Sequence, residues 1–115
     1  GGNVLQGPGQ ATADPRAENL FERATLLGER IRSGLTRALQ DVPAVTDIRG
    51  QGLMIGIELD RPCAELVQRA ADAGLLINVT AERVIRLLPP LIFSDIEADQ
   101  LVNTLAPLIA DFVAT

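Results

Sequence analysis

The sequence predicts an α+β fold, a small antiparallel or mixed sheet of about four short strands covered by helices on one face. Three observations carry that expectation. Leu53, Ile55, Ile57 and Leu59 alternate with Met54, Gly56 and Glu58, the period of a half-buried strand. Leu20, Ala24, Leu27, Ile31, Leu35 and Ala38 recur instead at helical spacing. Ser94-Asp95-Ile96-Glu97 matches a capping box, in which a Ser hydroxyl and a Glu carboxylate satisfy free amide donors at a helix start. A chain of 115 residues supports one core rather than two, and with aromatics at only 3% that core is aliphatic.

Residues 1–16 are rich in glycine and proline and poor in apolar side chains, so they are expected to form a flexible segment, with the folded domain spanning 17–115. The apolar stripe predicts a helix over about 17–40. Val45, Thr46 and Ile48 suggest a short strand ending at Gly50, followed by the alternating strand over 53–59. Pro62 suits a first helical turn and Gly74 a C-terminal cap, which predicts a helix over 62–73 with Leu66, Val67, Ala70 and Ala71 on its apolar side. Strands are expected over 75–79 and 83–88 with a turn at 80–82. The last helix carries Leu101, Leu105, Leu108 and Phe112 on one face and should bend at Pro107, which removes one helical hydrogen bond.

Net charge is -5 and every positive charge is an arginine, a balance that argues against a nucleic-acid partner. Gly1-Gly2-Asn3 lacks the layout of a signal peptide, and no apolar run approaches the roughly 18 residues of a spanning helix. Cys63, the single cysteine, has no internal disulfide partner. A soluble, cytoplasmic protein without a membrane partner is expected.

Arg86 is the residue of greatest chemical interest. It stands between Ile85 and Leu87 in an extended segment that stops at Pro89-Pro90, and a guanidinium in apolar surroundings needs an anion or water. Strand geometry sets it on the face of Val84 and Leu88. From the residues alone, a structural ion pair or an exposed edge position is favoured over ligand capture, although the planar fork of arginine fits a carboxylate bidentately. Arg49-Gly50-Gln51-Gly52 is read as a connection between strands whose glycines permit positive φ or close approach by another backbone. Glu58 is read as solvated, and Cys63 as structural because no histidine exists to pair with it. Asp95, Glu97 and Asp99 are read as first-turn residues favouring the helix dipole rather than as metal ligands. No catalytic, cofactor-binding or metal-binding residue is assigned. The chain contains neither lysine nor histidine, the usual Schiff-base nucleophile and near-neutral base.

Ile48-Arg49-Gly50-Gln51-Gly52-Leu53-Met54-Ile55-Gly56-Ile57-Glu58-Leu59, then Gly74-Leu75-Leu76-Ile77-Asn78 and Val84-Ile85-Arg86-Leu87-Leu88-Pro89-Pro90-Leu91, together resemble the C-terminal small domain of the class III pyridoxal-phosphate aminotransferases. Within that family the likeness is greatest to the acetylornithine aminotransferases. The resemblance implies that Arg86 binds the α-carboxylate of an amino-acid substrate in a transaminase of arginine biosynthesis, acting on N-acetylornithine and 2-oxoglutarate. It also implies a large domain of the same enzyme as partner, a homo-oligomer, and a chain that begins downstream of the cofactor lysine. Pyridoxal phosphate would belong to that parent enzyme, and the isolated, lysine-free chain is expected to bind none and to be inactive. Val4-Leu5-Gln6-Gly7-Pro8-Gly9-Gln10 departs from the family, which has a helix there. The alternative is a free-standing α+β binding or self-association module without catalysis.

Overall fold

A computed structural model of the chain describes residues 15–114. The element order is α1 (Pro15–Ala38), β1 (Val45–Gln51), β2 (Met54–Leu59), α2 (Glu65–Asp72), β3 (Asn78–Thr80), β4 (Val84–Leu87) and α3 (Asp95–Ala114). The strands lie in the order β1-β2-β4-β3 and every pairing is antiparallel. The expectation of a flexible segment over 1–16 falls mostly on positions outside the described residues. α1 already includes positions 15 and 16, and a proline suits the first position of a helix because the donor it lacks has no intrahelical partner there.

The core forms where the two periodicities meet. Leu27, Ile31 and Leu35 of α1 are fully buried, as are Ile55, Ile57 and Leu59 of β2 and Ile85 and Leu87 of β4. Each such side chain contributes about 2 kcal/mol by leaving water. The buried stripe of α1 is narrower than its sequence pattern, since Leu20 and Ala38 are exposed and Leu39, just past the helix, takes the last buried place. In α3, Ala98, Leu101, Leu105 and Ile109 face the same core, and the helix continues through the exposed Pro107 to Ala114.

The ends of the elements follow their local chemistry. Ser94 and Glu97 form the expected capping box, with the Ser94 amide donating to Glu97 Oε1 at 2.9 Å and the Glu97 amide to Ser94 Oγ at 3.1 Å. Gly74, at φ +83°, ends α2, where its amide donates to the Ala71 carbonyl and the Leu75 amide to the Ala70 carbonyl. That double closure is the Schellman motif. It consumes the residues expected to open β3, so the strand runs over Asn78–Thr80 instead of 75–79, and Leu76 is left 90% exposed. α2 begins at Glu65 rather than at Pro62 because the Cys63 amide donates to the Glu82 carbonyl, which ties that stretch to the β3–β4 turn before the helix can form.

Candidate functional site

The solvent-facing side of the sheet is built from one row of residues. Arg49, Gly56, Arg86 and Asn78 stand in register across β1, β2, β4 and β3. Arg86 lies on this face because its neighbours Ile85 and Leu87 are buried against the helices, 0% and 2% exposed. Two guanidinium-bearing residues thus flank a glycine, their strands about 10 Å apart.

The two arginines are drawn to opposite ends of β2. Arg49 donates to Asp47 Oδ2 at 2.9 Å and to Glu58 Oε1 at 3.0 Å, contacts that hold its pKa above the usual arginine value. Arg86 turns the other way and donates through Nη2 to the thioether sulfur of Met54 at 3.2 Å. Among the described residues, no carboxylate lies within ion-pairing distance of Arg86. Neither reading favoured from sequence describes Arg86: no ion pair forms among the described residues, and β4 is not an edge because β2 and β3 flank it, so the side chain is exposed on the face of the sheet instead. β2 separates the two cases by its own alternation, placing Met54, Gly56 and Glu58 on the same side as a thioether, a gap and a carboxylate.

Gly56 keeps the space between the arginines open. A Cβ there would sit 3.6 Å from Val84 Cγ1 and 3.7 Å from Arg49 Cγ, in ordinary contact with both, so any side chain would fill the gap. The result is a shallow groove of about 460 Å³ whose lining includes Arg49, Met54, Gly56, Thr80, Ala81 and Arg86. Ala81 and Glu82 hold the β3–β4 turn with φ of +50° and +65°, an uncommon conformation for residues with side chains. Arginine with open space before it and no anion of its own can receive a carboxylate through two parallel N–H donors.

The other residues considered from sequence have structural partners. Glu58 is engaged by Arg49 rather than simply solvated. Cys63 is buried with its thiol directed to the Glu82 carbonyl at 3.6 Å, and burial pushes its pKa up, the reverse of what a nucleophile requires. Asp95 pairs with Arg23 at 3.1 Å, and Asp99 takes a two-point contact from Arg30 at 2.9 and 2.8 Å, which bolts α1 to α3. Glu97 serves the capping box. In Arg49-Gly50-Gln51-Gly52, the second glycine has φ +59° at the first central position of a two-residue turn, as a II′ hairpin requires.

Sequence reasoning passed over Met54 and Gly28. Met54 sits on the polar side of its strand, where a solvent-facing methionine gives no signal of a partner. Gly28 lies inside a helical stripe, and an interior helix glycine costs about 1 kcal/mol relative to alanine, which is itself a sign that another backbone comes close.

Residues 13–109 match the family model described as Aminotransferase class-III. The acetylornithine aminotransferase 1 of Bordetella bronchiseptica is 51% identical over 115 residues, covering 99% of this chain and 29% of that protein. The acetylornithine aminotransferase of Methanothermobacter thermautotrophicus is 47% identical over 94 residues, covering 82% of this chain and 24% of its own length. Among solved structures, the ornithine aminotransferase of Toxoplasma gondii ME49 superposes with a TM-score of 0.76 at 30% identity, over 87% of this chain and 25% of that one. The N-acetylornithine aminotransferase of Stenotrophomonas maltophilia superposes with a TM-score of 0.74 at 27% identity, over 84% and 28%. The chain therefore spans between a quarter and a third of the length of these relatives, or slightly less.

Proposed function

The chain belongs to the class III aminotransferases, and from that premise we propose that it is the small domain of an acetylornithine aminotransferase, contributing the arginine that binds the substrate's α-carboxylate. The enzyme would transfer an amino group between N-acetylornithine and 2-oxoglutarate on pyridoxal phosphate, as a step of arginine biosynthesis in the cytoplasm. The single observation that carries the role of Arg86 is its position on the sheet: exposed over an open groove, with a thioether and, among the described residues, no carboxylate as its side-chain contact.

The part played by these residues is binding and orientation. The Arg86 fork takes a substrate α-carboxylate through two N–H donors; in glutamate, whose α-carbon carries the amine, this also sets the direction in which the Cα–H bond points, whereas in N-acetylornithine, which gives up its δ-amine, it fixes the end away from the reacting carbon. Gly56 leaves the carboxylate room to approach, and the Asp47 and Glu58 carboxylates hold Arg49 back so that the two guanidinium groups do not crowd the same space. The residues present do not fit a cofactor lysine, because the sequence contains none. Pyridoxal phosphate would be bound by the large domain, and no step through it is assigned to this chain.

Exposed apolar residues support a covering partner. Leu76, just before the strand that carries Asn78, and Leu88 and Ile92, beyond the strand that carries Arg86, are 90%, 75% and 90% exposed. A large domain seated there would bury them and close the groove against water, strengthening the arginine–carboxylate contact. A self-association module would bury the same residues in a second copy.

The test is to incubate the intact protein that carries this chain with N-acetylornithine, 2-oxoglutarate and pyridoxal phosphate and to follow glutamate formation. Glutamate produced in proportion to both substrates supports the assignment. Its absence, with light scattering showing dimers of a protein that has no further domain, would favour the self-association reading.

A further inference from the structure

We propose that Arg23 is a positioning residue: from α1 it fixes the segment that joins β4 to α3, and through that segment it sets the reach of Arg86. The inference rests on the reading of Arg86 as the carboxylate fork, and both ends of the contact that carries it lie within this chain.

The segment 88–93 is poorly equipped to hold itself. Pro89 and Pro90 have no amide donor, so the strand that carries Arg86 stops at Leu87 and its continuation leaves the sheet. Leu88 and Ile92 point to solvent, while Phe93 packs partly against the core. The Phe93 amide donates to the Pro90 carbonyl at 3.1 Å, a bond that stays inside the segment. The Phe93 carbonyl accepts from Arg23 Nη2, a bond that leaves the segment and ends on α1.

Arg23 grips two acceptors at once. Its Nη1 donates to Asp95 Oδ1 at 3.1 Å, so one guanidinium holds the carbonyl just before α3 and a carboxylate in its first turn. A planar fork with fixed donors does this with little loss of order, whereas an ammonium on a flexible stem supplies charge without the fork. Arg30, two turns further along α1, differs in its partners: Asp99 and Asp95 both belong to α3, and none of its contacts among the described residues reaches the segment. Arg86 is the last residue but one of β4, beside the point where the chain leaves the sheet. β2 and β3 hold that strand sideways, and the tie from α1 fixes the path of the chain beyond it. A displacement of about 1 Å there is enough to spoil the fit of a guanidinium to a bound carboxylate.

The experiment measures steady-state kinetics and amide hydrogen exchange of the intact protein with Arg23→Ala, Arg23→Lys and Arg30→Ala, and with Arg86→Ala alone and combined with Arg23→Ala. Arg23→Ala should raise KM for N-acetylornithine about fivefold, with kcat within about twofold of the parent. Exchange at Leu91, Ile92 and Phe93 should quicken about tenfold while Ile55 and Ile85 stay as protected as before. Arg23→Lys should restore part of both, and Arg30→Ala, which loosens the same pair of helices without touching the segment, should change neither. In the Arg86→Ala background Arg23→Ala should raise KM no further, because its effect passes through the fork. An unchanged KM in Arg23→Ala, an equal rise in Arg30→Ala, unchanged exchange at residues 91–93 or a full additional loss in the double variant would overturn the proposal. An unchanged KM in Arg86→Ala would instead overturn the reading on which it rests.

Discussion

Gly28 of α1 and Gly52 of the β1–β2 turn approach so closely that a Cβ at position 28 would lie 1.8 Å from the Gly52 carbonyl oxygen and 2.9 Å from its carbonyl carbon. The obstacle is backbone, which cannot rotate away as a side-chain end could. The contact seats the helix on the hairpin and so fixes where β1 and β2 lie relative to the core.

Gly28→Ala should therefore destabilise the domain, although alanine is the better helix former by about 1 kcal/mol. Forcing the helix and the turn apart costs about 1 to 3 kcal/mol in a well-packed interior, and with backbone as the obstacle the upper end applies. A lower denaturant midpoint at unchanged slope in the intact protein is the expected result. An unchanged or higher midpoint would mean that α1 shifts without cost.

Arg86→Ala should lower kcat/KM for N-acetylornithine by roughly 30-fold or more, corresponding to about 2 to 5 kcal/mol for a charge-assisted pair broken with one partner left buried. Melting temperature should barely change, because the side chain is exposed and holds no internal ion pair among the described residues. Lysine should restore only part of the loss, since it supplies charge without the planar fork. A variant that melts early yet turns over substrate normally would assign Arg86 to the fold.

The link between α1 and α3 should weaken in acid. Hydrogen bonding to Arg30 holds the Asp99 carboxyl below the usual carboxylate range. A carboxyl with a depressed folded-state pKa contributes stability that is complete above its unfolded value of about 3.9 and is lost as pH falls through the folded value. Asp99→Asn should accordingly flatten the fall in melting temperature below about pH 4 while changing little at pH 7, where an exposed pair contributes little. Parallel acid limbs for parent and variant would remove Asp99 from the account.

Cys63 should resist thiol reagents in the folded protein, because it is fully buried and its pKa is raised by that burial. Labelling with iodoacetamide at pH 8 should be slow until denaturant is added. Rapid labelling under native conditions would show that the α2 region opens locally.

What could be seen in advance follows from how local each feature is. The capping box at Ser94 and Glu97, the alternation of Ile55, Ile57 and Leu59 and the cap at Gly74 are decided within a few residues, and the structure reproduces them. Arg86 stood out for the same reason, as a charge between two buried aliphatics. The position of β3 was less legible because the cap of the preceding helix competes for the same residues. Met54 and Gly28 depend on partners brought from distant strands and turns, and no spacing within a single segment announces them. Segment 4–10 lies outside the described residues.

The contact between Arg86 and Met54 is also a seam. Met54 belongs to the hairpin β1–β2 and Arg86 to the hairpin β3–β4, each closed by a short local turn, whereas β2 meets β4 only across α2 and β3. Hairpins close within microseconds, but joining them requires the intervening loop to be drawn in first. Neither hairpin alone contains the groove. A chain with both hairpins formed and the seam still open would retain nearly all its local structure and lack the groove, so on the proposed reading of Arg86 competence to bind would depend on a long-range pairing.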